Sequence, residues 1–495
     1  GLVIKTSLNT DLQYLAQESL INGLIQYDKN QGWRGVVGNL NEYNLKFEDV
    51  IKKIKNPFPN KWFLTKIEKI DSDKLFLSSN YLKNIEVDLT LKTNEWLINK
   101  KFKKDDIIFI EKHNSSYVVR QIPNVNGAII VIDPFSGDIL AMSGGFSFDL
   151  SQFNRSTQAK RQPGSAFKPF VYISALKKGY TPSTLILDAP YVIDQGPGLP
   201  KWKPANYSDE FYGLTTMRTG IEKSRNLMTI RLANKIGVEA ILSSANDFSI
   251  EKYLDENMSM SLGSGLVTLI DITNAYGIIA NGGKKIKPNI IKSIYSRQGK
   301  KILDNSNKYC NNCKLEKINI NSKIPEINNK AKEVLDPRIA YQITSMMEGV
   351  IHRGTARSLK DLKIPLAGKT GTTNDNKDAW FIGYSPDLVI GVFVGHDTPK
   401  NLGFKQTGSS VAVPIFKDFI KKSNTNKNNI PFRVPSGLSF VTINNKTGLP
   451  SNNKESIMEV FIEGSEPYTK DDISILDSLG VINNSISGTG GLLTN

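Results

Sequence analysis

The chain has 495 residues, 39% hydrophobic and 22% charged, which suits two or three globular domains and excludes a disordered polypeptide. Its net charge of +15 is read first as a lysine-rich solvated surface and second as attraction to an anionic polymer or phospholipid surface; nucleic acid is not expected, because no recognition motif or basic–aromatic pattern accompanies the charge. Three histidines and two cysteines leave little for metal chemistry: Cys310 and Cys313 lie in an Asn/Lys-rich stretch without a nearby His, so a local disulfide or two idle thiols is expected in place of a zinc or redox site.

The chain opens at Gly1 without a secretory signal, and no apolar run reaches the length of a bilayer, so a fragment or processed product is expected. Residues 1–43 read as a linker region whose main element is a helix over 10–27. Thr10 serves there as N-cap, and Leu12, Leu15, Ala16 and Leu20 follow at three- and four-residue spacing. Over 44–120 short β-rich runs (61–67, 74–77, 84–91, 106–112, 117–122) separated by polar breaks predict a small all-β unit, a barrel.

From 121 to 422 the pattern is mixed. A hairpin is expected from 127–133 and 138–142 about Pro134-Phe135-Ser136-Gly137. A helix over 165–178 tolerates Pro169 near its start and stops at Gly179. Helices follow over 227–236 and 336–349, then strands over 365–373, 378–384 and 388–394. The fold class that follows is α/β of the α+β type, a sheet bracketed by helices. An Asn/Lys-rich linker, 421–429, leads into the last region, 423–495, which reads as a β-rich extension (432–443 and 457–462) and a tail, 485–495, expected to be disordered.

Three short segments carry chemistry. The first is Arg161-Gln162-Pro163-Gly164-Ser165-Ala166-Phe167-Lys168. A serine hydroxyl needs a base to act as a nucleophile, and on a helix Lys168 shares the face of Ser165. The helix start adds positive potential and free N–H groups. Bringing a lysine from about 10.4 to near neutral costs roughly 4 kcal/mol, which burial and a second cation can supply. The same S-x-x-K spacing recurs at Ser174/Lys177, Ser249/Lys252 and Ser451/Lys454, but only Ser165 combines a Pro-Gly turn, a helix start and an apolar helix body.

The second segment is Ser224-Arg225-Asn226, at the start of a predicted helix. Its hydroxyl suits a proton relay between Lys168 and a leaving amine, and its amide suits a peptide carbonyl; the plainer reading makes Ser224 a helix cap. The third is Gly368-Lys369-Thr370-Gly371-Thr372-Thr373. On a strand Thr370 and Thr372 share a face and pair two hydroxyls for a carboxylate. Lys369 adds a cation, Gly371 admits a ligand backbone, and Thr373 completes the expected binding set. The N–H of Thr372 can join that of Ser165 around a developing oxyanion. A second Lys-Thr-Gly, Lys446-Thr447-Gly448, runs into Leu449-Pro450 and reads as a turn. No metal and no cofactor is expected.

Each segment is common alone, and their joint order is specific. Around them the chain resembles the transpeptidase region of class A penicillin-binding proteins, the bifunctional wall synthases. The likeness runs through Trp33-Arg34-Gly35, Gln121-Ile122-Pro123, Gly144-Gly145-Phe146, Phe153-Asn154-Arg155 and Asp194-Gln195-Gly196-Pro197-Gly198. It continues through Glu222-Lys223-Ser224, Ser261-Leu262-Gly263, Gly354-Thr355-Ala356 and Asp378-Ala379-Trp380-Phe381.

The resemblance implies the penicillin-binding/β-lactamase fold, an antiparallel sheet between helical layers, with 44–120 as an OB-like insertion. It implies a D,D-transpeptidase in which Ser165 attacks the penultimate D-Ala carbonyl of a stem pentapeptide, and which β-lactams acylate. The partners implied are peptidoglycan stem peptides and glycan strands, β-lactams and other wall-synthesis proteins. The location implied is the periplasmic face of the inner membrane, with membrane contact through a segment outside this chain. Such proteins usually begin with a membrane helix and a glycosyltransferase domain bearing Glu-Asp-x-x-Phe-x-x-His; neither is found, so glycan polymerisation is not expected of this chain.

Among the alternatives, a D,D-carboxypeptidase differs only in using water as acceptor. A β-lactamase needs a deacylating base that is not evident, and a non-catalytic sensor is opposed by intact Ser165, Lys168 and Lys369. No G-x-S-x-G elbow supports a Ser-His-Asp hydrolase. Trp202, Tyr207, Phe211 and Tyr212 are expected to pack, with cleft lining as the alternative, and Glu222 and Lys223 to orient the second segment.

Overall fold

The computed structural model describes residues 1–467 other than 44–45, 81, 83, 195–197, 199, 253, 306–307, 312–325, 330 and 424–429. Cys313, Gln195-Gly196-Pro197, most of the 421–429 linker and the 485–495 tail lie outside the described residues.

A five-stranded antiparallel sheet forms the centre. Its strands, numbered in chain order, are β1 (Asn126–Ile132), β2 (Ile139–Ser143), β3 (Ala367–Thr372), β4 (Asp378–Tyr384) and β5 (Val389–Gly395). Their spatial order is β3-β4-β5-β1-β2, with β3 at one edge. The principal helices are α1 (Thr10–Gln31), α2 (Lys168–Lys177), α3 (Met217–Glu222), α4 (Asn226–Ile236), α5 (Val238–Asp247), α6 (Leu269–Ala280), α7 (Pro337–His352) and α8 (Val413–Ser423). Alternate residues of β1 enter different cores, as the two-residue period of a strand requires. Ala128, Ile130 and Ile132 pack with Phe170 of α2, Ile272 of α6 and Ile343 of α7. Ile129 and Val131 pack with Leu20 of α1 and Phe416 of α8. Burial on both faces is why β1, β4 and β5 read as unbroken apolar runs.

Helix ends depart from expectation where polar groups decide them. Asn9, not Thr10, caps α1, its side chain accepting from the Leu12 N–H at 3.0 Å. The helix continues to Gln31 through a polar stretch because Asp28 is buried and bonded to Arg34 (2.5 Å) and Gln121 (2.7 Å), anchors that hydrophobic period does not register.

Residues 62–120 form a separate antiparallel sheet of Trp62–Asp71, Lys74–Ser78, Ile85–Asp88, Asp106–His113 and Ser116–Arg120. Gly38–Asn39 joins it from upstream, and a helix, Phe47–Lys53, precedes it. This unit has its own core around Ile67, Leu77, Val87, Ile108 and Val119. Among the described residues no helix is long and apolar enough to cross a membrane.

After α8 the described residues include a hairpin, Leu438–Asn444 with Ser456–Ile462. Its Glu459 is fully buried and receives Nε and Nη2 of Arg218 on α3, itself 2% exposed. Arg218 also donates to the Ser345 carbonyl (2.8 Å). Removing one partner of a buried ion pair strands the other charge. Glu459→Ala is expected to lower the unfolding free energy by about 3–5 kcal/mol, read from the denaturant midpoint. Glu455→Ala, which breaks an exposed pair with Lys446, is expected to leave that midpoint in place.

Candidate active site

Ser165 lies in a 3₁₀ turn, Gly164–Phe167, that runs into α2, so the helix expected over 165–178 opens with a tighter turn. Pro169 falls at the first positions of α2, where a missing N–H is tolerated. Four contacts hold the turn. The backbone of Arg161 pairs with Val267 in both directions at 2.9 Å, and its guanidinium forks onto Asp378 of β4 at 2.5 and 3.2 Å. Gln162 donates to the Ser264 carbonyl at 2.9 Å, and Tyr276 of α6 donates to the Ala166 carbonyl at 2.7 Å.

Gly164 has φ +54°, and a Cβ there would run into the backbone of Thr372; a Cβ on Gly371 would run into the carbonyl of Pro163. Both positions need glycine. The Ser165 turn therefore lies directly against β3. Thr373 N–H donates to the Asp378 carbonyl at 3.2 Å, which sets the phase of the β3–β4 ladder. By alternation the N–H groups of Thr370 and Thr372 point out of the unpaired edge of the sheet.

Behind this edge two lysines converge on one residue. Lys168, fully buried, donates to the Ser224 carbonyl (2.7 Å), Asn226 Oδ1 (2.7 Å) and Ser224 Oγ (3.3 Å). Lys369, also fully buried, donates to Ser224 Oγ (2.8 Å) and the Thr370 carbonyl (3.2 Å). Ser165 and Lys168 are three residues apart along the turn, but the Lys168 hydrogen bonds go to the second segment and not to Ser165 Oγ. Such bonds often tighten only when substrate arrives. Burial holds the Lys168 amine well below the ordinary lysine range; the charge of Lys369 lowers it further, and Asp188 opposes the shift. Burial brings Lys369 down to about 7.

Ser224 is not the helix cap: Arg225 holds that place. Ser224 instead adopts φ +58°, a left-handed conformation costly for a residue with a Cβ. Its neighbours enforce it. Arg225 N–H donates to the Gly220 carbonyl (2.9 Å), and Asn226 N–H donates to Asn206 Oδ1 (2.9 Å). The Arg225 guanidinium pairs with buried Asp188 (3.0 Å), and Asn206 donates to the other oxygen of that carboxylate (2.7 Å). Asp188 and Asn206 escaped the sequence reading, because neither belongs to a spaced motif. Tyr212 stacks on Arg225, its ring centroid 3.1 Å from the guanidinium carbon, while Tyr207 and Phe211 are exposed.

The threonines of β3 divide. Thr370 Oγ1 is 2.7 Å from Thr355 Oγ1, and Thr372 Oγ1 accepts from the Gly408 N–H at 3.0 Å. Thr373 uses its hydroxyl to accept from the Asp378 N–H (2.9 Å). The competing motifs are occupied elsewhere. Ser174 bonds Phe170 and Ser244 inside the helical layer, and Lys446-Thr447-Gly448 forms a turn on Asn444.

A family model described as the penicillin binding protein transpeptidase domain matches residues 127–421. The chain belongs to this transpeptidase family. It is similar to penicillin-binding protein 1A of Rickettsia bellii, 39% identical over 488 residues, covering 97% of this chain and 61% of that protein. It is also similar to penicillin-binding protein 1A of Neisseria gonorrhoeae, 31% identical over 460 residues, covering 88% and 54%. The chain thus spans 61% or less of the length of these curated relatives. A solved structure of penicillin-binding protein 1A from Haemophilus influenzae is alike with a TM-score of 0.80 at 28% identity, over 94% of this chain and 73% of that one. PonA1 of Mycobacterium tuberculosis shares the fold, with a TM-score of 0.57 at 19% identity over 92% and 91%. The antiparallel sheet between helical layers is accordingly the penicillin-binding transpeptidase fold.

A buried lysine weighs against folding in a way that pH reveals. The unfolded chain holds the Lys369 proton up to about pH 10.4, while the folded chain releases it near 7, so stability rises with pH across that window. Lys369→Met is expected to raise the unfolding free energy at pH 7 by up to about 4 kcal/mol, with the advantage shrinking as pH approaches 10. Denaturant unfolding at several pH values checks this.

Proposed function

We propose that the chain is a serine acyltransferase of the D,D-transpeptidase type, acting on peptidoglycan stem peptides. One observation carries the reading: the Ser165 turn abuts the unpaired edge of β3, and behind it Lys168 and Lys369 both donate to the Ser224 hydroxyl.

In the first half-reaction Ser165 Oγ bonds to the penultimate D-Ala carbonyl carbon, and its proton passes to neutral Lys168. The oxyanion is stabilised by the N–H groups of Ser165 and Thr372. As the C–N bond breaks, Lys168 returns the proton through Ser224 to the departing D-Ala amine. In the second half-reaction an amine of a neighbouring stem attacks the ester, loses its proton to Lys168, and Ser165 is released with its proton restored. Thr370 and Thr372 bind the terminal carboxylate, with Lys369 supplying a cation when protonated. Gly371 leaves room for the substrate backbone, Thr373 braces the end of the strand, and Asn226 holds a substrate carbonyl. A β-lactam follows the first half-reaction, but its leaving nitrogen stays tethered and obstructs the acceptor.

The homologues named penicillin-binding protein 1A support this reading, and with it action at the periplasmic face of the membrane in contact with glycan strands and other wall-synthesis proteins. The location and those partners belong to the proposal.

Ser165→Ala is expected to abolish covalent labelling by a fluorescent penicillin while the thermal unfolding profile stays in place; label retained on that variant would mean another nucleophile. With a defined stem pentapeptide and an acceptor stem, mass spectrometry is expected to find cross-linked dimer. Trimmed tetrapeptide alone would instead mean a carboxypeptidase. Acylation is also expected to slow as pH falls and Lys168 takes up a proton, with its midpoint well below the ordinary lysine range.

A further inference from the structure

Resting on the acyltransferase reading, we infer that Thr355 is a positioning residue for the substrate carboxylate: its hydroxyl donates to Thr370 from behind and so keeps the Thr370 proton for the anion. A threonine hydroxyl has one proton and two acceptor lone pairs. Thr370 Oγ1 lies 2.7 Å from Thr355 Oγ1, so one of the two must be the donor. If Thr370 spends its proton on Thr355, it has none for a carboxylate. If Thr355 donates, Thr370 is left to donate forward, and the two bonds polarise one another.

Thr372 follows the same rule. Its Oγ1 already accepts from the Gly408 N–H at 3.0 Å, so its proton is available to the anion. The two threonines of β3 thus present protons outward because each receives a donor from the rear.

The rear donors are held as a unit. Ser409, next to Gly408, donates to the Thr355 carbonyl at 2.6 Å. Gly408 opens a π-helical turn, Gly408–Ala412, and lies so close to the sheet that a Cβ there would run into the carbonyls of Trp380 and Gly371. On the other side the Thr355 N–H donates to the Glu222 carbonyl (3.3 Å), and Arg353 forks onto the Glu222 carboxylate (2.5 and 3.1 Å). Lys223 donates to the Arg353 carbonyl (2.5 Å). The backbone of Thr355 is thus held between the segment that carries Ser224 and the turn that carries Gly408, which places its hydroxyl beside Thr370.

The test compares β-lactam acylation of the full chain with Thr355→Val, Thr355→Ser and Ser409→Ala. The probes are a carboxylate-bearing penicillin and its methyl ester. T355V is expected to lower the second-order acylation rate with the acid by about five- to tenfold. The loss should fall in the apparent dissociation constant and not in the limiting acylation rate. T355S is expected to return to within about twofold of wild type, and the ester to change by no more than about twofold in T355V. If T355V does not fold, S409A, which frees the Thr355 carbonyl, is expected to show the same acid-selective loss. A wild-type rate in T355V, a T355S as impaired as T355V, or equal losses for acid and ester would each overturn the inference and leave Thr355 a packing residue. Wild-type protein that takes no label from either probe would overturn the acyltransferase reading itself.

Discussion

Two ammonium-bearing side chains without exposed surface meet at the hydroxyl of Ser224, and the rest of the site is arranged around the difficulty this creates. Two charges so close in a dry pocket repel and are poorly solvated, so burial and mutual repulsion drive a proton away. That is the condition a lysine must meet to act as a base at neutral pH. It is held by rigid parts: α2 carries Lys168, β3 carries Lys369, and Ser224 between them is kept in a left-handed backbone conformation by hydrogen bonds on both sides.

The charges beneath this pocket extend the same logic. Glu222, two residues before Ser224, pairs with Arg353 and lies 3.5 Å from Arg218, and Arg218 is satisfied by Glu459. Two carboxylates already balance the two guanidiniums. A third acid nearby, Glu348, is pushed up by burial to about 7 despite the attraction of Arg218 and Arg353. The cluster anchors the second segment and the Arg353–Thr355 turn together, through the buried Glu222 carboxylate that Arg353 reaches from the partly exposed side.

Much of this was legible in the sequence, for reasons that differ by element. β1, β4 and β5 are buried on both faces and betray themselves as apolar runs bounded by turns. α4 announces its end through Gly237, which takes φ +85°. Ser165, Lys168, Ser224, Asn226 and Lys369 stand out as motifs and are brought together in space. What stayed hidden is what spacing does not encode. Asp188, Asn206 and Glu459 are single polar residues whose partners lie far along the chain, and nothing local marks them as buried. Gly354-Thr355-Ala356 was visible as a shared phrase, but its bond to Thr370 spans fifteen residues and a change of element. The left-handed Ser224 was invisible because its strain is imposed by neighbours and not by its own preference.

The place of Glu459 bears on how separable the parts of this chain are. The family match ends at residue 421, before the hairpin that carries this carboxylate, yet the arginine it neutralises lies inside the matched span. A boundary drawn from family likeness is therefore not a boundary in energy. Trading the hairpin between homologues would carry along the counter-ion of a core arginine, so the two pieces are constrained to vary as a pair. Recombination at that seam would be tolerated only where the incoming hairpin brings an acid to the same depth.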